Sequence, residues 1–577
     1  MTVVTEEEIR SYNYSSVDEV LRKVPGVEVQ RSGGLGKTSQ IKMRGAGADQ
    51  VLILVDGLRV ASPTLGTADL SELSLDAIER IEVVRGPQST LYGADAIGGV
   101  INIITRKGQG PPQGMLWGEV GTYETFRERA SVQGALGRFN YAFSESHYDT
   151  RGYIRRFDND DATQTALAGR IGYDFPWKGD LSLSVRYSKT DLDLPINSTF
   201  PLVILDPNQR QQTETYLFNL AYKQPIVDWW RISGRWGQWW NNQGYEQGVA
   251  GKTIVTAMPT ISQIDTFRRE FELVNAFDMG KWSTLTAGFE HRQEHGENRR
   301  VTRQTINVFA GFLQEELRFF DRLFLSGGAR AEDNDSFGSA ITPRAAVAFN
   351  VKETGTRLRA SWGKGFRAPT INDLFFPGFG NPLLKPERSE SYDVGFDQRL
   401  FANRVRFGGT YFHNEFTQLI QFILDPATFS FQPENVGRAQ SEGIESYLEI
   451  DPLDWLLLYA NHTYTHAIDR VSHLELRRFP HQRFNAGAQV TPISRLTVFV
   501  QGTGVTKQFE GEDQGYNPGW YRVDAGGTLR LADRVGILHK LELTLRMENL
   551  TGNRYHEVQG FRAAGFSGLL GLRAFFQ

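Results

Sequence analysis

The 577-residue chain contains no cysteine. Disulfides, thiolate metal sites and cysteine nucleophiles are therefore excluded. It has no run of about 18 uncharged apolar residues, so no helix of it is expected to span a bilayer. The densest apolar run, Val51-Leu-Ile-Leu-Val55, has the length of a strand. Neither sign of charge dominates: 63 basic residues stand against 67 acidic, and residues 1–107 carry 12 and 14. That balance excludes the basic stripe of a nucleic-acid binder and a long charged tail. There is no Gly-x-Ser-x-Gly and no His-Glu-x-x-His, so no enzyme is expected. Gly33-Gly-Leu-Gly-Lys-Thr38 has the look of a phosphate loop, but Arg31 stands where its first glycine is required. The opening Met1-Thr-Val-Val-Thr5 shows no basic-then-apolar segment. The expectation is a signal peptide already removed, or a chain that is not exported.

What is present is aromatic and glycine-rich: 38 Phe, 20 Tyr, 11 Trp and 59 Gly. Mean hydropathy is −0.38. A membrane β-barrel reconciles these values, because its strands alternate lipid-facing apolar with lumen-facing polar residues. The chain changes character near Gly108-Gln-Gly-Pro-Pro112. Before it the pattern is mixed α/β. Ser15 to Val24 has helical spacing behind a serine cap, ended by Pro25-Gly26. Leu73 to Arg80 reads as a second short helix. Gln40–Arg44, Val51–Val55 and Ile81–Val84 read as strands, with Asp56-Gly57 as a turn. After residue 112, period-2 segments recur. Leu181, Leu183, Val185 and Tyr187 alternate with polar residues, as do Leu541, Leu543, Leu545 and Met547. Residues 108–577 at ~21 per strand and its connections give about 22 antiparallel strands. A barrel that wide leaks unless it is plugged. Residues 1–107 have the size of a plug.

Ile41-Lys-Met-Arg-Gly45, Val51 to Gly57, Ile81 to Gly93 and Ala96 to Thr105 together resemble the plug of a TonB-dependent outer-membrane receptor. Gly365-Phe-Arg-Ala-Pro369, Gly380 to Glu387, Gly437 to Gly443, Leu476-Arg-Arg478 and Asn549 to Tyr555 resemble barrel landmarks of the same family. Within it, Thr2–Thr5, Ser16–Val27 and Ala68–Ser71 are most similar to the cobalamin subgroup. The resemblance implies an all-β transmembrane barrel, residues 108–577, around an α/β plug, residues 1–107. It implies a monomer in the outer membrane of a Gram-negative bacterium, embedded in its lipid. Arg44, Asp56 and Arg85 are expected to pair with the barrel wall. The energy source implied is TonB with ExbB and ExbD. A TonB box should stand roughly twenty residues ahead of Thr2 and is absent from the chain as written, which is therefore expected to bind ligand without importing it.

The resemblance also places candidate ligand contacts. Thr38, Gln40 and Gly47 fall in one apical plug loop region, Leu65 and Gly66 in a second. Arg477 corresponds to a barrel arginine near the ligand, or pairs with the lumen wall. Tyr516, on a Gly/Asn/Pro-rich loop, is a further candidate. Asp158, Asp160, Asp193 and Asp206 resemble the family's calcium loops, since calcium takes several oxygen ligands. Ile154 and Arg156 fall where relatives have oxygen donors, so a solvated acidic loop is the alternative. His462 and His466, like His291 and His295, share a strand face, but i, i+4 on a strand sets the rings ~13 Å apart, too far for one metal. Residues 370–380 lack the histidine of haem receptors. The expected ligand is cobalamin. A ferric siderophore is the alternative in the same family, and a passive porin the alternative outside it.

Overall fold

The computed structural model describes residues 1–153, 160–194, 210–247, 260–298, 302–425 and 430–577. Twenty-two antiparallel strands, from Gln113–Gly121 to Ser567–Phe576, close into one barrel. At the closing seam Leu570 faces Val120 and Phe576 faces Gly114. Closure pairs every strand edge, the condition for strands to cross lipid. Alternation sets the faces. Ser182 and Ser184 are buried inside while Val185 is exposed outside. Glu542, Thr544 and Arg546 are likewise buried while Leu545 is exposed. No helix among the described residues is long and apolar enough to cross a membrane.

The two ends differ. One carries turns of two to five residues, with exposed Trp177, Trp229, Trp282, Phe320, Phe401 and Trp455. Such a ring marks a membrane interface, and in this class the short-turn end faces the periplasm. The other end carries longer connections, among them 368–386, 470–481, 506–519 and 549–566.

The lumen holds the plug. Its sheet runs in the order Thr2–Thr5, Ile78–Arg85, Gly99–Thr105, Val51–Val55, Leu58–Arg59. Val17, Val20 and Leu21 share one buried cluster with Ile53, Val55, Ile81, Val83, Ile101 and Ile103, which Leu217, Trp239 and Phe499 of the barrel join. The segment 106–112 leads into the first barrel strand, and the expected boundary after residue 107 falls within it. The first expected helix is shorter than its pattern, Val17–Leu21, and the Ser16 hydroxyl at its cap bonds no helix N–H but accepts from Arg31 at 3.3 Å. The second is not a helix. Leu70–Glu72 forms a 3-10 turn and Ile78–Arg85 a strand, because pairing with Gly99–Thr105 overrides the local spacing.

Plug and barrel are joined by ion pairs. Arg44 grips Glu445 through two bonds, 2.6 and 2.8 Å, and Arg85 lies 3.3 Å from the same carboxylate. Arg59 reaches Glu270 at 3.3 Å, and Glu28 accepts from Arg483 at 2.8 Å. Gly26 makes the first contact possible. Its φ is +76°, and a Cβ there would stand 2.0 Å from Glu445 Oε1. Asp56 departs from expectation. Its carboxylate accepts from the Thr105 N–H and hydroxyl inside the plug, at 2.8 and 2.6 Å. Its carbonyl meets the wall, accepting from Asn219 at 3.1 Å. The tight turn, with φ +50° at Asp56, folds the side chain back onto the neighbouring strand. Deleting residues 1–107 is expected to leave an open pore. Planar-bilayer recordings should show large, steady conductance from the deleted form and none from the intact chain. A closed deleted barrel would sink the plug assignment.

Candidate ligand-binding site

The floor of the outer bowl is the plug surface at the long-loop end. The hairpin Val27–Arg31/Ser39–Met43 carries its tip there, closed by the Ser32 N–H on the Thr38 carbonyl at 3.0 Å. Thr38 and Gln40 are half-buried, and Gln40 pairs across the hairpin with Gln30. Gly47 opens the turn Ala48–Gln50 and donates its N–H to Gln50 Oε1 at 2.9 Å. Leu65 is exposed, and Gly66 closes its loop by donating to the Ser62 carbonyl at 2.7 Å with φ +75°.

Asp49 links the two plug loops. A Cβ at Gly47 would meet Asp49 Oδ1 at 2.7 Å, and one at Gly66 would meet Asp49 Cβ at 3.2 Å. Burial raises the Asp49 carboxyl above its usual range, and Arg367 opposes that rise. Arg367 lies 3.3 Å from Asp49, 3.5 Å from Asp373, and binds Glu387 through two bonds of 2.7 and 2.9 Å. Gln50 donates to Glu387 at 2.7 Å. The two barrel landmarks that carry Arg367 and Glu387 thus meet beneath the plug loops. Asp49, Gln50, Arg367 and Glu387 carry no role in the sequence reading. The clue lay in two neighbouring motifs bearing opposite charges.

Arg477 and Tyr516 lie on the wall. Arg477 is exposed and pairs with Asp513 at 3.2 Å. Tyr516 sits on the hairpin Gln508–Gly511/Gly515–Asn517, its ring 5.6 Å from that of Phe509. This wall touches the plug. Gln30 donates to the Arg478 carbonyl at 2.7 Å and Lys42 to the Arg477 carbonyl at 2.9 Å. The candidates therefore gather in two groups: Gly47, Leu65 and Gly66 around Asp49, and Arg477 and Tyr516 beside the hairpin that carries Gln40. Thr38 lies apart, next to Lys37.

The calcium candidates divide. Asp158 and Asp206 lie outside the described residues, as do Ile154 and Arg156. Asp160 and Asp193 do come together, but the Lys37 ammonium stands between them: it is 3.5 Å from Asp160 Oδ1 and donates to the Asp193 carbonyl at 2.7 Å. The described residues do not fit a divalent ion. No group of three or more His, Asp or Glu among them could hold a metal. Three of the four histidines stack instead: His462 on Phe484, His291 on Phe309 and His295 on Phe267, at 4.5, 4.5 and 4.6 Å, while His466 meets His481 edge-on at 5.9 Å.

A closed barrel, a folded domain filling its lumen and a bowl of long loops above it define a gated outer-membrane receptor; the filled lumen excludes a standing pore. Residues 105–550 match the TonB dependent receptor-like β-barrel, and residues 1–100 the TonB-dependent receptor plug domain. The chain belongs to the TonB-dependent receptor family. Its place is the outer membrane of a Gram-negative cell, and members of the family are transporters, not enzymes. They work with TonB and bind small molecules. The vitamin B12 transporter BtuB of Photobacterium profundum is 29% identical over 465 residues, covering 77% of this chain and 72% of that protein. The siderophore receptor PirA of Acinetobacter baumannii superposes with a TM-score of 0.82 at 18% identity, covering 100% of this chain and 98% of that one. A mutant of the ferric enterobactin receptor PfeA of Pseudomonas aeruginosa gives 0.84 at 19%, with the same coverage. At such identities the likeness is one of fold.

Proposed function

We propose that this chain binds cobalamin from outside and, as a monomer, passes it to the periplasm with work supplied by TonB, ExbB and ExbD. The observation that carries the reading is the state of the plug's cations. Four near its outer surface and flank are engaged by carboxylates: Arg31 by Asp18 and Glu19, Lys37 by Asp160 and two carbonyls, Arg44 by Glu445, Arg59 by Glu270, while Lys42 donates to the Arg477 carbonyl. Arg367 of the wall is engaged by Glu387. No aromatic residue lies between positions 28 and 70. Such a floor offers backbone and neutral polar groups and little uncompensated positive charge. A corrin, broad and rich in amides, suits it. An anionic ferric siderophore would forgo the charge-assisted bonds that it needs. The relationship to a vitamin B12 transporter supports the same reading.

The test is a titration of the purified receptor with cyanocobalamin and a panel of ferric siderophores. Tight binding of cyanocobalamin alone is expected. Tight binding of an iron chelate with no response to cyanocobalamin would move the chain to the siderophore receptors.

A further inference from the structure

A calcium ion needs converging oxygens and an empty centre between them. In this chain the oxygens converge and the centre is filled. Lys37 leaves the tip of the plug hairpin and enters the barrel wall, where its side chain is 1% exposed. Its Nζ donates to the Asp161 carbonyl at 2.9 Å and the Asp193 carbonyl at 2.7 Å, and stands 3.5 Å from Asp160 Oδ1. An ammonium has three donors, and three acceptors face it here. Asp160 and Asp161 immediately precede the strand Ala162–Asp174 and Asp193 ends the adjacent strand Asp180–Asp193, and the Asp193 N–H already joins the two by donating to the Asp161 carbonyl at 3.0 Å. Asp160 is fixed from behind as well. Its Oδ2 accepts the Tyr153 N–H at 2.8 Å. Gly152, with φ +62°, leaves room for that carboxylate, 2.3 Å from where a Cβ would stand.

We propose that Lys37 is a built-in cation that takes the place of a calcium ion in this receptor, tying the outer ends of these two strands to the plug. A divalent ion would have to expel the ammonium or share its cradle against strong repulsion. The order of this region is therefore independent of calcium. The tie also differs in kind from a metal. An ion would link the loops to one another, whereas Lys37 links them to the plug. Burial pushes the Lys37 ammonium down, and Asp160, then Asp193, oppose that shift. This proposal does not depend on which ligand the receptor carries.

The experiment uses the intact receptor in detergent, with calcium and with a chelator. Equilibrium dialysis with radioactive calcium is expected to show no stoichiometric binding. Hydrogen exchange of the amides at 148–153 and 160–166 is expected to be the same in both conditions. In Lys37→Ala the same amides should exchange about tenfold faster or more, since two part-buried charge-assisted bonds are gone. Stoichiometric calcium on the wild type, with calcium-dependent protection of these amides, would overturn the proposal. So would unchanged exchange in Lys37→Ala. If that variant does not insert, the two wild-type measurements decide.

Discussion

Replacing Glu19 with glutamine should loosen the plug from the barrel by about 3 kcal/mol or more, the scale for breaking a buried ion pair from one side. Glu19 sits on the plug helix Val17–Leu21 and is 1% exposed. Three arginines donate to it: Arg22 at 3.3 Å, Arg31 at 3.1 Å, and Arg522 of the barrel through two bonds of 3.2 and 2.5 Å. Arg546 of the barrel lies 3.7 Å away. Glutamine has the same volume, so no cavity forms. It turns an N–H2 toward a guanidinium where an oxygen accepted before. The barrel should persist, because its backbone ladder is untouched. Slower-exchanging plug amides between residues 2 and 105 should therefore lose protection while strand amides do not. Burial alone would push the Glu19 carboxyl up, but Arg522, Arg22 and Arg31 outweigh it and hold it well below the usual range. A depressed folded value contributes stability that is complete above the unfolded value and fades only as pH falls through the folded one. Wild type and Glu19→Gln should thus differ fully at neutral pH and converge only in strong acid. Equal protection of plug amides at neutral pH would show that this cluster does not hold the plug.

The strands of the barrel were legible because lipid and lumen impose a strict period of two. Leu181 to Tyr187 and Leu541 to Met547 announce their faces with no knowledge of neighbours. The plug strand Val51–Val55 was legible for its run of apolar residues. Leu73 to Arg80 misled, because its spacing suits a helix in isolation and only the partner strand Gly99–Thr105 decides against it. The pairs that dock the plug were legible on one side only. Arg44 stood out in its motif, yet its partner Glu445 lies 401 residues on, and Arg522 lies 503 residues from Glu19. No local pattern relates residues so far apart. The same holds for the acidic outer loops. Asp160 and Asp193 read as metal ligands because the lysine that meets them belongs to another domain, more than a hundred residues earlier. Lys37 itself was conspicuous only as the lysine of a false phosphate loop.

Arg367→Met is expected to weaken ligand binding at least about tenfold at neutral pH while the barrel stays folded, because a lost cation leaves the buried Glu387 carboxylate and the part-buried Asp49 and Asp373 carboxylates facing one another. Arg367 and Glu387 are direct cross-strand partners at the outer ends of Thr356–Arg367 and Glu387–Leu400. The guanidinium also faces Asp49 and Asp373. Methionine keeps much of the stem and removes the charge. Glu387 retains the Gln50 amide at 2.7 Å and the Ile420 N–H at 2.8 Å, so it stays in place. Asp49 has no such anchorage to Glu387 and should swing away, carrying with it the backbone at Gly47 and Gly66. Acid should relieve the defect. The Asp49 carboxyl already stands above its usual range through burial, and Arg367 is the group that holds it down. Without Arg367 it rises further. A carboxyl whose folded value lies above its unfolded one costs stability when ionised, and that cost vanishes as pH falls and the proton returns. Affinity of the variant should therefore climb as pH is lowered from neutrality, and climb more than that of the wild type, in which Arg367 still opposes the rise. Titrations of both proteins at neutral and mildly acidic pH decide the matter. A variant that binds like wild type at neutral pH would show that the ligand does not rest on the Asp49 floor. A variant equally weak at both would place the loss in something other than uncompensated carboxylates.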